Sequence, residues 1–262
     1  VPKPIRNIAL KHLKNPKEIT IKVKTTTADT INQRFCFASG AKKLDVLTRI
    51  LETEDMDAVL IFVRTKHATK EIADKLAARG YACAALSGDV AQRTRERTVN
   101  SLKKGDLDIV VATDVAARGL DVQRISHVIN FDIPYDTESY VHRIGRTGRA
   151  GRKGEAILFV SPREKHILSS IEKATKQEIM LMKLPTNQEV SQRRREQVKI
   201  QIQNILDQED LKSQNRLLKQ YQEDWGWDLE RISSALLKIV QDQNPIFSEE
   251  IKKEKFESRS EL

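Results

Sequence analysis

Two runs, AVLIFV at 58–63 and LDIVVAT at 107–113, are apolar almost throughout. A strand with one wet face alternates apolar and polar residues, so strands apolar on both sides must be covered on both faces, which is the condition of a parallel sheet. The runs RFCFA, ACAALS, HVINFDI and EAILFV read as further strands. Between them KKLDVLTRILETE, KHATKEIADKLAARG, AQRTRERTVNSLKKG and the stretch around SYVHRIGR read as helices. This alternation, from about residue 33 to residue 160, predicts an α/β fold: a doubly wound parallel sheet with helices on both faces. In such sheets ligands collect beyond the C-terminal ends of the strands.

The 262 residues exceed one average domain, and the texture changes along the chain. Residues 1–25 hold three prolines in a basic stretch and read as a connector. Residues 26–186 carry the alternation. From 187 to 262 the composition turns to Gln, Glu and Arg, with apolar residues at Val198, Ile202, Ile205 and Leu206 and again at Leu229, Ile232, Leu236, Ile239 and Val240. Spacings of three and four mark amphipathic helices, with Asp228 placed to cap the second, and the charged end SEEIKKEKFESRSEL is expected to fray. Residues 1–187 have 33 Lys and Arg against 22 Asp and Glu, and residues 188–262 have 13 against 15, so the net +9 belongs to the first part and any polyanion site with it. Cys36 and Cys83 each sit in an apolar run, which suits two buried reduced thiols and a cytoplasmic address. No apolar stretch approaches membrane-spanning length, and the start at Val1 rather than Met suggests a fragment.

Three stretches carry chemistry. In SYVHRIGRTGRAGRKG, residues 139–154, His142, Arg146 and Arg149 are spaced by four and three and share one face if the segment is helical, while Gly145 and Gly148 weaken that helix and admit close approach. Arginine grips phosphate bidentately and stabilises transferred phosphoryl charge, and a generic basic helix for nucleic acid is the competing reading. In VVATDVAARGLD, residues 110–121, Thr113 and Asp114 end a buried strand and Arg118, Gly119 and Asp121 follow. A carboxylate there accepts hydrogen bonds from ribose hydroxyls or merely caps a turn. In LSGDVAQRTRERT, residues 86–98, Ser87, Gly88 and Asp89 end a strand and Gln92, Arg93 and Arg95 open a helix. That arrangement is a phosphate cradle or a solvated helix face.

These stretches, with LIFVRTK at 60–66, closely resemble the C-terminal RecA-like motor domain of DEAD-box RNA helicases, in motif order and spacing, over about residues 30–180. The wording ATDVAARGLDV and SYVHRIGRTGRAGR and the helical tail are most similar to the bacterial cold-shock branch of that family, and VPKPIRNIA resembles the helix that closes the family's first motor domain. The resemblance implies that Arg146 and Arg149 are arginine fingers reaching the γ-phosphate of ATP, that His142 helps couple the two domains, and that Asp121, with Gly119 beside it, contacts the ribose. It implies that Arg64, Thr65, Gly88, Gln92, Arg95 and Thr113 hold the RNA sugar-phosphate backbone. It further implies ATP with Mg²⁺ held mainly by an N-terminal RecA-like domain, duplex remodelling in cold adaptation, ribosome assembly and RNA decay, ribosomal precursors or decay machinery as partners, and a homodimer formed through the helical tail. No G-x-x-x-x-G-K-[ST] loop, no Asp-Glu-Ala-Asp and no Ser-Ala-Thr occurs in the sequence, so these residues alone are expected not to hydrolyse ATP. The rival reading is a non-catalytic protein-interaction module on a nucleotide-binding fold; a DNA helicase of the same superfamily is a third.

Among lesser signals, His12, His67, His127 and His166 have no i, i+4 partner or Cys neighbour, so no metal site is expected. Trp225 and Trp227 read as the plug of a helix junction rather than a base-stacking pair. The run QRRREQ at 192–197 reads as a solvated helix face.

Overall fold

The computed structural model describes residues 3–13, 30–208 and 210–243; the expected connector beyond residue 13 and the charged end at 248–262 lie outside them. Helix α1 (Lys3–His12) comes first. Seven strands follow: β1 (Ile31–Phe37), β2 (Ala58–Phe62), β3 (Cys83–Leu86), β4 (Ile109–Ala112), β5 (Ile125–Asn130), β6 (Gly154–Val160) and β7 (Met180–Leu181). They form one sheet in the order β3-β4-β2-β5-β6-β1-β7, and every pairing is parallel. The six expected strands are all present. The two-residue edge strand β7 and the short helix α5 (Asp114–Ala117) escape sequence periodicity because each spans only about one repeat of its own pattern, too little for a period to show.

β2 and β4 are buried along their whole length because both faces are covered. Val59, Ile61, Ile109 and Val111 point to one side, where Leu47 and Ile50 of α2 (Lys42–Thr53) and Ile72 and Leu76 of α3 (Lys66–Ala77) pack on them. Leu60, Phe62, Val110 and Ala112 point to the other, against Leu102 of α4 (Gln92–Lys104) and Ala116 and Ala117 of α5. On that second side Tyr140 and Ile144 of α6 (Thr137–Ile144) join Leu168 and Ile171 of α7 (Lys165–Thr175) over Leu158 and Val160. Each such buried side chain is worth roughly 1.5–3 kcal/mol relative to exposure, so the two-sided core accounts for the doubly wound layer.

Beyond β7 come α8 (Asn187–Gln208), α9 (Lys212–Trp225) and α10 (Leu229–Gln243). The Asp228 Oδ1 atom accepts from the Arg231 amide at 2.7 Å, the expected cap. Two expectations are corrected. The run 192–197 is not simply a solvated face: Arg194 donates to both Glu52 oxygens at 2.5 and 2.8 Å, and Arg193 pairs with Asp55, so these arginines fasten α8 to α2. Cys83 is only half-buried, although both thiols are free. Trp225, Trp227 and Tyr221 pack on one another at the α9–α10 junction, with Trp225 and Trp227 ring centroids 4.7 Å apart. The outer sides of these helices expose Ile202, Ile205, Leu236, Leu237 and Ile239. Among the described residues no helix is long and apolar enough to cross a membrane.

Candidate functional site

β3, β4 and β2 are neighbours in the sheet, about 4.8 Å apart strand to strand, so the loops leaving their C-terminal ends lie side by side. Gly88 follows β3, Thr113 follows β4, and Arg64 and Thr65 follow β2. Thr65 caps α3, its hydroxyl accepting from the Ala68 amide at 3.2 Å. The Arg64 amide donates to Asp132 Oδ2 at 2.9 Å, and its guanidinium lies over the Tyr135 ring, 4.5 Å from the centroid. Gln92 opens α4 and donates to Glu96, while Arg95 reaches the carbonyl of Arg118. The six residues expected to hold RNA backbone therefore occupy one end of the sheet, brought together from two strand-end loops and from the loop and first turn that open α4.

Arg146 and Arg149 converge on one loop, though not as a helix face. α6 stops at Ile144, and Arg149 begins a single 3₁₀ turn, Arg149–Gly151. Helical sharing of a face by His142, Arg146 and Arg149 is thus corrected: Gly145 ends the helix and Gly148, at φ 66°, turns the chain out of it. Side chains restore the proximity. Arg146 donates from Nε to the His142 carbonyl at 3.3 Å and from Nη1 to the Leu120 carbonyl at 3.1 Å. Arg149 donates to the Gly145 carbonyl at 2.9 Å and pairs with the Asp121 carboxylate. Gly119, at φ 73°, makes the turn that buries Leu120 and leaves Asp121 outward and 77% exposed. Burial, then the neighbouring Arg149, pushes the Arg146 guanidinium below its ordinary pKa, as expected where cationic charge is concentrated with too little counter-charge.

Gly148 and Gly154, within and just after the arginine loop, serve the protein's own packing. A Cβ on Gly148 would lie 2.7 Å from Ile31 Cγ1 and 3.1 Å from Thr30 Oγ1, and one on Gly154 would lie 2.5 Å from the Gly148 amide nitrogen. Ala150 is held at φ 54°, a left-handed conformation rare outside glycine, so the loop is fixed against its local preference.

Between the two groups sits Arg143, which inspection of the sequence did not single out. Its side chain is 4% exposed. It donates to both Asp114 oxygens at 2.6 and 2.8 Å, to Asn130 Oδ1 at 3.1 Å and to the Asp132 carbonyl at 2.7 Å, and its guanidinium stacks over Phe62. Asp114 is therefore not a cap but the counter-charge that ties α5 to α6. The signal was available: Tyr140, Arg143 and Ile144 form one stripe of α6, and a charge inside an apolar stripe demands a partner. Around this pair Arg118, His142, Arg146, Ser139 and Phe62 line a cavity of about 250 Å³ between the strand-end loops and the arginine loop.

Known proteins match this arrangement. The family model described as helicase conserved C-terminal domain matches residues 42–151, and that described as RNA helicase DeaD dimerization domain matches residues 185–251. The chain is 52% identical over 236 residues to the ATP-dependent RNA helicase DeaD of Mycobacterium tuberculosis, covering 90% of this chain and 42% of that protein. To the protein of the same name from Escherichia coli K12 it is 47% identical over 249 residues, covering 94% and 40%. The chain thus spans about two fifths of the curated relatives it matches. Among solved structures, that of the E. coli DEAD-box protein SrmB bound to regulator of ribonuclease activity A superposes with a TM-score of 0.56 at 35% identity, over 59% of this chain and 91% of that one. S. cerevisiae Dbp5 bound to RNA and ADP BeF3 superposes with a TM-score of 0.61 at 32% identity, over 70% and 49%. Taken with the loops just described, these likenesses establish that the chain belongs to the DEAD-box helicase family, as a helicase C-terminal domain followed by a DeaD-type dimerization region.

Proposed function

We propose that residues 26–186 act as the second motor domain of a cytoplasmic ATP-dependent RNA helicase, entered through a connector at 1–25 and followed by a dimerising extension at 187–262. The observation that carries this reading is the convergence of Arg146 and Arg149 on the Gly119–Asp121 loop beside the strand-end loops. The residues fit a nucleotide. Arg149 pairs with the outward Asp121 carboxylate while Arg146 is bonded only to the carbonyls of His142 and Leu120, which leaves cationic charge for a phosphate, and Asp121 offers exposed acceptor oxygens to ribose hydroxyls. ATP, held with Mg²⁺ mainly by the N-terminal RecA-like domain, supplies the phosphoryl bond that is broken.

The work of this chain is to complete that site. Arg146 and Arg149 stabilise charge on the transferring phosphoryl group, and Asp121 orients the sugar. His142, exposed at the end of α6 and lining the cavity with Arg118 and Arg146, faces the opposing domain and couples closure to the site. Arg64, Thr65, Gly88, Gln92, Arg95 and Thr113 grip the RNA backbone along the strand ends. Closure of the two domains then bends the strand out of duplex geometry, with little base information in the contacts. The rival reading, a non-catalytic interaction module, leaves the outward Asp121 carboxylate and the two neighbouring arginines without a purpose.

Arg149→Ala in the full-length protein tests this. RNA-stimulated ATP turnover is expected to fall by roughly 10³ to 10⁵, the worth of such arginines in other nucleotide hydrolases, while RNA affinity stays within about twofold. Unchanged turnover refutes the assignment.

A further inference from the structure

The strand-end surface does not stop at β2. The next strand in the sheet is β5, and the loop after it carries Tyr135, 76% exposed and the most exposed aromatic side chain of the α/β body. A single exposed aromatic is ordinary. This one is built into a pair: the Arg64 guanidinium covers it at 4.5 Å, and Arg64 is in turn held by its amide on Asp132 and by Nη2 on the Ile133 carbonyl at 3.3 Å.

The acids nearby are engaged by other groups. Asp132 is engaged by Lys43 at 2.8 Å and by the Arg64 amide. Asp136 caps α6, accepting from the Ser139 amide and hydroxyl at 2.7 and 2.8 Å, and those bonds hold its carboxyl below the usual range. Glu164 accepts from the Ser161 amide at 2.9 Å through Oε2, and its Oε1 lies 3.8 Å from Arg64 Nη2, a long contact that fixes one edge of the guanidinium and leaves the face over Tyr135 in place. What faces outward is a cation and an aromatic ring, continuous with Thr65, Gly88 and Thr113 along the same sheet end. Two strands further along, β1 ends in the half-exposed Phe37 with Lys165 over its ring at 5.1 Å, a second pair of the same kind on the same edge. Aromatic rings interleaved with cations along a track are the chemistry of single-stranded nucleic acid, where each base offers a π face.

We propose that the Arg64–Tyr135 pair is a base-stacking platform that extends the RNA surface beyond the backbone-gripping loops, Tyr135 taking one unpaired base while Arg64 meets the adjoining phosphate. This rests on the RNA reading of Arg64 and Thr65 given above. It adds a contact to a base where the other candidate contacts are to backbone, and it places the exit of the bound strand toward β5 and β1.

The test is binding of a fluorescein-labelled single-stranded RNA to full-length protein in the presence of a non-hydrolysable ATP analogue. Tyr135→Ala is expected to weaken binding by about five- to a hundredfold, and Tyr135→Phe to restore it. In the unsubstituted protein, scanning one abasic site along the strand should find a position whose loss matches that of Tyr135→Ala and is not added to it. Equal loss by Tyr135→Ala on intact and abasic strands means that the ring only steadies Arg64 and overturns the platform. No loss on Tyr135→Ala, with Thr65→Ala and Arg95→Ala still weakening binding, overturns the platform and leaves the RNA reading standing. No loss in any of these variants overturns both.

Discussion

Replacing Arg143 with Met should damage the fold more than the removal of any surface arginine, and the structure sets the size of the effect. Met keeps much of the volume over Phe62 but deletes four hydrogen bonds. Asn130 is fully buried, so its side-chain carbonyl and the Asp132 carbonyl lose a donor that water cannot easily replace. Orphaning a buried acceptor costs about 1–3 kcal/mol. Asp114 is 45% exposed and can rehydrate, so its share is smaller, about 1 kcal/mol. These add to about 3–7 kcal/mol, and since removing one partner of a buried pair usually costs about 3–5 kcal/mol, the lower part of that range is expected. For a body of this size each kcal/mol lowers Tm by about 2–4 °C, so a fall of roughly 6–20 °C is expected by circular dichroism. A double-mutant cycle with Asp114→Ala should return a coupling of about 1–3 kcal/mol. A loss in the single variant under about 1 kcal/mol would refute the view of Arg143 as the tie between α5 and α6.

Gly148→Ala combines a left-handed φ with a contact of 2.7 Å to Ile31, and a destabilisation of roughly 2–3 kcal/mol by urea titration is expected; a neutral result would show that the arginine loop shifts freely. The Glu54 carboxyl is held down to about 2 from its ordinary 4.5, first by the nearby His127, whose Nε2 lies 3.7 Å away, and then by Arg34. A depressed carboxyl contributes stability that is present above its unfolded value and lost as pH falls toward the folded one, so the urea midpoint should drop between about pH 4.5 and 2, less steeply in Glu54→Gln. On α10, Leu236→Ser with Ile239→Ser should convert a dimer to a monomer by light scattering without lowering the melting temperature of the α/β body; an unsubstituted chain of concentration-independent monomer mass would remove the premise.

The six strands were legible because their burial on both faces writes an uninterrupted apolar run, and the amphipathic ends of α8 and α10 because their spacing does. α9 was not, since its apolar residues are few and half-exposed in a polar helix. In the candidate site, Arg146, Arg149 and Asp121 were legible from motif order. What the sequence did not disclose is how they meet: Gly145 and Gly148 break the helix that spacing suggested, and the arginines reach the Gly119–Asp121 loop through side chains instead. Arg143 looked like one basic residue among several, and its place in the apolar stripe with Tyr140 and Ile144 marked it as buried without saying which partner it meets. Tyr135 had no signal, since its pairing with Arg64 depends on β2 and β5 being neighbours in space.

The close fit of Gly148 over Ile31 has a mechanical meaning. Thr30 donates through Oγ1 to the Gly148 carbonyl at 3.2 Å, and its own carbonyl accepts from the Gly154 amide at 3.0 Å. The point where the chain enters β1 is therefore clamped at both ends of the loop that carries Arg149, with no room for slack. Thr30 thus holds both ends of that loop at a single residue, so a substitution at this one position would loosen both ends at once, much as one pin can close a bracelet.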